Sequence, residues 1–142
     1  MLSLIGRSFP RMRKRIVILD GNSQWRRFSA EVLASEGYDI NAFGDMEQAL
    51  KHVLANHGDL IIADYEWSRA HPTSFQTLRR MGYTNRLVFL LRNRNPRVLR
   101  DCFKAGARDC VPKPKTREAL SSIIGEAIHQ RSHLAVTEGL AV

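Results

Sequence analysis

The chain has 142 residues, enough for one domain with a single hydrophobic core and too few for two ordinary domains. Its 44% hydrophobic and 25% charged residues are typical of a globular protein. The two cysteines lack metal-ligand spacing, and the chain has neither a leader-type hydrophobic segment nor an apolar run of membrane-spanning length. These features argue against a disulfide-rich secreted protein or a membrane protein, and we expect a cytoplasmic one.

The net charge of +8 is unevenly distributed along the chain. Residues 79–117 contain twelve basic and two acidic side chains, whereas residues 16–78 contain four basic and nine acidic ones. A cationic half attracts acidic proteins or nucleic acid through long-range electrostatics. It can equally serve as a solvated surface that keeps the protein soluble, so the composition leaves both interpretations open.

Five short apolar segments predict β-strands, and a segment with helical spacing of its apolar residues follows each of them. The predicted strands span residues 15–20, 39–43, 59–64, 86–91 and 108–111. Helix-capping side chains precede four of the five predicted helices, namely Asn22 or Ser23, Asp45, Asn95 and Thr116. We predict an irregular loop from residue 65 to about residue 72 and a helix over 73–81.

This alternation with short connections predicts an α/β fold. We expect a doubly wound, five-stranded parallel sheet with strand order 2-1-3-4-5, a flavodoxin-like arrangement with helices on both faces. The predicted organisation is a basic N-terminal arm over residues 1–13, one domain over 14–130 and a flexible C-terminal tail over 131–142.

Three ionisable side chains lie at the ends of predicted strands. Asp20 ends the first strand, Asp64 ends the third, and Lys113 follows the fifth. Open α/β sheets build their sites at the carboxyl ends of the strands, so we expect these three side chains to lie together. Two carboxylates and an ammonium group outline a pocket for a phosphoryl group or a metal ion.

Four segments carry a resemblance to a known family. They are Ile18-Leu19-Asp20, Ile61-Ile62-Ala63-Asp64, Lys104-Ala105-Gly106-Ala107-Arg108-Asp109 and Lys113-Pro114. Over about residues 14–130 the chain resembles the chemotaxis-regulator-like receiver domain of two-component response regulators. The resemblance implies that Asp64 accepts a phosphoryl group from a histidine kinase, that Lys113 contacts the phosphate or its acid, and that an acid pair after the first strand holds Mg²⁺.

The chain departs from this family at the metal site. Where the resemblance implies a second acid after Asp20, the chain has Gly21. Glu66 stands where the family contributes a backbone carbonyl to the metal, and its side chain could restore some negative charge. The expected Mg²⁺ ligands are therefore Asp20, Asp64 and, weakly, Glu66, and we expect the loss of one carboxylate to weaken metal binding.

Two further departures concern the residues that respond to the phosphoryl group. The resemblance places Leu91 where the family has a threonine or serine, and Arg92 where it has a small residue. Leucine cannot donate a hydrogen bond. Arg92 can pair with Asp64 or a phosphate, or it can point to water. Cys110 replaces the aromatic residue that rotates in the family, so the conventional switch is not expected.

The sequence leaves two interpretations of Asp64 open. It can be a phosphoacceptor, or it can be a partly buried acid that is satisfied by Lys113 and takes part in no reaction. Trp67, close by in sequence, can anchor a partner or pack over the end of the sheet.

We therefore predict an atypical, stand-alone receiver in phosphorelay signal transduction whose output is protein–protein contact. No nucleophile–base pair is visible beyond the self-modification site, so an enzyme with its own turnover is not expected. The partner is expected to be a histidine kinase or another signalling protein, without membrane contact. The alternative is a phosphorylation-independent pseudo-receiver, or a nucleic-acid-binding module that uses the basic region 79–117.

The predicted contact face is formed by the fourth main helix, the fifth strand and the last helix. The resemblance implies that a homodimer can also form through this face, as it often does in the family. Its basic residues are Arg97, Arg100, Lys104, Arg108, Lys115 and Arg117.

Overall fold

The computed structural model describes residues 13–56, 58–80, 82, 83 and 86–129. The five strands are β1 (Arg15–Leu19), β2 (Asp39–Phe43), β3 (Leu60–Asp64), β4 (Leu87–Leu91) and β5 (Asp109–Pro112). The helices within the described residues are α1 (Ser23–Ser35), α2 (Met46–Asn56), α3 (Tyr65–Arg69), α4 (Pro72–Arg80), α5 (Pro96–Ala105) and α6 (Arg117–His129). The predicted basic arm, apart from residue 13, and the predicted C-terminal tail lie outside the described residues.

All five strands are parallel and lie in the order β2-β1-β3-β4-β5, which confirms the predicted doubly wound sheet. The three central strands consist of almost continuous apolar residues because helices cover both of their faces. The register pairs Leu19 with Ala63, Asp64 with Leu90, and Leu91 with Pro112. The residues that end β1, β3 and β5 therefore meet at one edge of the sheet.

Two hydrophobic clusters hold the helices on opposite faces of the sheet. On one face, Val32 and Leu33 of α1 pack with Leu120 and Ile124 of α6. The other face is covered by apolar side chains from α2, α4 and α5, among them Val53, Leu78 and Cys102. Burial of these side chains is the main favourable contribution to the fold, and it follows directly from the helical spacing of the apolar residues.

The helix starts follow the predicted caps. Asn22 Oδ1 accepts a hydrogen bond from Trp25 N at 2.9 Å, and Asn95 Oδ1 accepts one from Val98 N at 2.9 Å. Gly106, with φ of 72°, ends α5 in the left-handed conformation that glycine adopts without strain.

The segment after β3 differs from the prediction. Residues Tyr65–Arg69 form the short helix α3 instead of an irregular loop. Asp64 is its N-cap: its side chain accepts a hydrogen bond from Trp67 N, and Ser68 Oγ donates to Asp64 O at 2.7 Å. A helix can start directly at the strand end because Asp64 satisfies one of the free amide groups of the first turn. With α3 counted, the predicted contact face consists of α5, β5 and α6.

No helix in the described part of the chain is both long enough and apolar enough to cross a membrane.

Candidate functional site

The carboxyl edge of the sheet brings Asp20, Asp64 and Lys113 together as predicted. Lys113 Nζ lies 2.6 Å from Asp20 Oδ2 and 3.1 Å from Asp64 Oδ1. Both aspartates have only 2% of their surface exposed. Burial of a charged group is costly unless it is paired and hydrogen-bonded, and the single ammonium group of Lys113 pairs with both acids.

Arg92 completes this arrangement. Its Nη2 lies 3.1 Å from Asp64 Oδ2, so the guanidinium group faces the site although 59% of its side chain remains exposed. Two acidic and two basic side chains therefore share one network, which we call the ion cluster (Asp20, Asp64, Arg92 and Lys113). Its formal charges cancel.

A backbone amide also donates a hydrogen bond to one carboxylate oxygen of each aspartate in the ion cluster. Asn22 N donates to Asp20 Oδ1 at 2.9 Å, and Trp67 N donates to Asp64 Oδ2 at 2.9 Å. Each of the four carboxylate oxygens thus accepts at least one hydrogen bond. Such complete satisfaction is what a buried pair of carboxylates requires to be stable.

Gly21 lies next to the indole ring of Trp67. A Cβ atom at position 21 would lie 2.9 Å from Trp67 Cδ1, closer than real Cβ contacts come. The ring therefore fills the space into which a side chain at position 21 would project. Of the two interpretations left open for Trp67, its position here matches packing over the sheet end.

Glu66 does not join the two aspartates. Its Oε2 lies 3.6 Å from Arg69 Nη1 on the surface of α3, and the side chain lines a separate cavity with Arg97 and Asp101. Among the residues that the structure describes, no group of three or more His, Cys, Asp or Glu side chains is placed to hold a metal ion.

Leu91 and Cys110 contribute no polar group to the ion cluster. The Leu91 side chain is buried. The backbone carbonyl of Leu91 accepts a hydrogen bond from Lys113 N at 2.8 Å. The neighbouring Cys102 thiol and burial both raise the pKa of Cys110 far above its usual range. It therefore stays a neutral thiol inside the fold.

Trp25 is a site residue that the sequence did not reveal. Lys113 Nζ lies 4.8 Å from the centroid of the Trp25 ring, a cation–π contact. Trp25 Nε1 donates to Pro114 O at 3.3 Å, which ties the start of α1 to the loop before α6. These partners lie about 90 residues away in the chain, so no local pattern indicates them.

The basic residues of the predicted contact face are spread over several surfaces. Arg97, Arg100 and Lys104 are exposed on α5. Arg108 lines a cavity with Lys14 and Asp59 at the opposite, amino edge of the sheet. Lys115 lines the cavity beside the ion cluster, and Arg117 Nη1 donates to Ser35 Oγ at 3.3 Å.

Tyr65, the first residue of α3, provides a pH-dependent contribution to stability. Its hydroxyl donates to Asp101 Oδ2 at 3.0 Å, and burial together with this bond raises the pKa of Tyr65 from 10.0 to about 12. As the pH rises, the Tyr65 hydroxyl loses its proton in the unfolded chain before it does so in the folded protein. The stabilisation is therefore complete below pH 10 and is lost as the pH rises towards 12. We expect stability to fall more steeply over this interval in the native protein than in Tyr65→Phe, as measured by urea unfolding. Identical slopes in the two proteins would contradict the shift.

Comparison with known proteins identifies the family of this chain. A model of the response regulator receiver domain matches residues 16–125. The chain is 26% identical over 121 residues to the CAI-1 autoinducer sensor kinase/phosphatase CqsS of Vibrio cholerae, a match that covers 78% of this chain and 17% of that protein. It is 24% identical over 110 residues to the sensor histidine kinase RcsC of Escherichia coli, covering 77% of this chain and 12% of that protein. The chain thus spans less than a fifth of either relative.

Solved structures show the same fold. A response regulator from Thermotoga maritima superposes with a TM-score of 0.72 at 15% identity, covering 82% of this chain and 98% of that one. The chemotaxis response regulator CheY4 of Vibrio cholerae gives a TM-score of 0.67 at 18% identity, covering 82% and 99%. At these identities the likeness concerns the fold alone.

Proposed function

Because the chain belongs to the response regulator receiver domain family of two-component signalling, we propose that it is an atypical receiver whose output is contact with other proteins. In this proposal the conformation that the receiver presents to other proteins is determined by the ion cluster and not by Mg²⁺-dependent phosphorylation of Asp64. One observation carries the proposal: the Asp64 carboxylate is already engaged by Lys113, Arg92 and the amide of Trp67.

Receiver domains typically use Mg²⁺ at their acidic site, and three observations support a weakened metal site here. Mg²⁺ requires oxygen ligands in near-octahedral geometry, and Asp20 and Asp64 are the only two carboxylates in the ion cluster. Their charge is already balanced by Lys113 and Arg92, so a dication would enter a neutral cluster. Trp67 also fills the space in which a side chain at position 21 would provide the next ligand.

The residues that would respond to a phosphoryl group support the same proposal. In the family a hydroxyl at the end of β4 bonds the phosphoryl oxygen, and Leu91 has none. Cys110 has no aromatic ring that could rotate. A phosphoryl group on Asp64 would therefore lack the usual route to the α5–β5–α6 face.

A second candidate function is phosphorelay with Asp64 as the phosphoacceptor. It is favoured by the two cations, Lys113 and Arg92, that contact the Asp64 carboxylate. A guanidinium group binds phosphate oxygens in bidentate fashion, so Arg92 could shift from the carboxylate to a phosphoryl group. The donor would be a histidine kinase, the class that the name of the relative RcsC gives.

For the partner we propose an acidic segment of a signalling protein, histidine kinases included. Arg97, Arg100 and Lys104 give α5 an exposed cationic face that such a segment would complement. A symmetric homodimer through the same face would bring these like charges together. The basic region 79–117 has fewer positive charges available to bind nucleic acid than its composition indicates, because Arg92 and Lys113 are paired with aspartates.

Treatment with acetyl phosphate, and separately with beryllofluoride, at millimolar Mg²⁺ tests the proposal. We expect no gain of a phosphoryl group by intact mass and no change in the amide spectrum, because Asp64 is occupied and the metal site is incomplete. The comparison uses Asp64→Asn, with Asp39→Asn as a matched change of an exposed aspartate at the start of β2. A Mg²⁺-dependent gain that disappears only in Asp64→Asn would overturn the proposal in favour of phosphorelay.

A further inference from the structure

A cavity of about 800 Å³ opens beside the ion cluster. It lies between the start of α1, the carboxyl ends of β4 and β5, and the loop that leads to α6. Its volume is within the range of small-molecule sites in proteins, which are concave and carry a few polar groups on a mostly apolar wall. Neither the family match nor the proposed function assigns a ligand to it.

Aromatic and apolar side chains form one wall of this cavity. Trp25 and Phe28 lie one turn apart on α1, and Pro112 continues the apolar surface. Trp25 is held in place by its hydrogen bond to Pro114 O and by the ammonium group of Lys113. The fixed indole ring of Trp25 favours a planar group, because little side-chain entropy is lost when the group packs against it.

Four basic side chains and no acidic one line the same cavity, namely Arg92, Arg94, Lys113 and Lys115. The aspartates of the ion cluster neutralise Arg92 and Lys113. Within the described part of the chain, Arg94 and Lys115 form no ion pair. The cavity thus retains two uncompensated positive charges at an apolar surface, which is complementary to a dianion with an apolar body.

We propose that this cavity binds a small dianionic ligand that carries a planar ring, the chemistry of a nucleoside monophosphate. Arg94 and Lys115 bind its phosphate group, and its ring packs against Trp25 and Phe28. Binding requires neither Mg²⁺ nor modification of Asp64. Failure of this inference therefore leaves the proposed function untouched, and the converse also holds.

Titration of the full chain with adenosine 5′-monophosphate tests the inference, by calorimetry and by amide chemical-shift mapping. Adenosine, ribose 5-phosphate and inorganic phosphate serve as probes for the ring and the charge separately. We expect the monophosphate to bind at least about tenfold more tightly than any of the three. Absence of binding at millimolar concentration, or equal affinity for any of the three partial probes, would overturn the inference.

Variants locate the binding site. Arg94→Gln and Lys115→Gln should each weaken binding of the monophosphate several-fold, and the double variant should abolish it at micromolar concentration. Both residues are exposed, so the fold should not suffer. Arg100→Gln removes an exposed cation that does not line the cavity and should leave the affinity unchanged. Unaltered binding by the double variant, or an equal loss in Arg100→Gln, would show that the cavity is not the site.

Discussion

Replacement of Lys113 by methionine should lower the free energy of unfolding by about 3–5 kcal/mol. The ammonium group of Lys113 is the partner that Asp20 and Asp64 share, and both aspartates are 98% buried. Methionine keeps most of the side-chain volume but leaves two carboxylates close together in a poorly solvated place. Urea unfolding followed by circular dichroism at pH 7 measures the effect.

Lys115→Met is the matched control, because this exposed lysine forms no ion pair among the described residues. It should change the stability by no more than about 0.5 kcal/mol. Addition of Asp64→Asn to the Lys113→Met variant should recover part of the loss, since one of the two neighbouring carboxylate charges is then removed. If Lys113→Met unfolds at the same urea concentration as the native protein, the ion cluster does not stabilise the fold.

Introduction of aspartate at Gly21 should destabilise the protein by about 1–3 kcal/mol and should not by itself create a Mg²⁺ site. Its Cβ would lie 2.9 Å from Trp67 Cδ1, and its charge would make the ion cluster negative. In the double variant Gly21→Asp with Trp67→Ala the ring is gone and a third carboxylate is available. Millimolar Mg²⁺ should therefore raise the melting temperature of the double variant only.

Two glycine-to-alanine variants separate the steric cause from the charge. Gly21→Ala should show the steric part of the loss, whereas Gly125→Ala, in α6 with nothing within 4 Å of its added Cβ, should not destabilise the protein. Stabilisation of the single variant Gly21→Asp by Mg²⁺, to the same extent as the double variant, would refute the idea that Trp67 blocks the site.

The sheet could be predicted from sequence because its signals are local. Each strand is a short apolar run, and each following helix has its apolar residues at helical spacing, so burial on both faces imposes a parallel arrangement. Helix α3 departs from the predicted loop because Asp64 is a helix cap as well as a site residue. The same carboxylate also caps the helix through Trp67 N, a three-residue spacing that is visible in the sequence.

The sequence by itself determined that Asp20, Asp64 and Lys113 would meet, because the carboxyl ends of parallel strands share one edge of the sheet. Only the tertiary structure decided that Arg92 turns towards Asp64, that Trp67 fills the space above Gly21, and that Trp25 lies beside Lys113. These contacts depend on side-chain rotamers and on the packing of elements that are distant in the chain. Local spacing carries no information about either, and the ion cluster and the adjoining cavity are built from them.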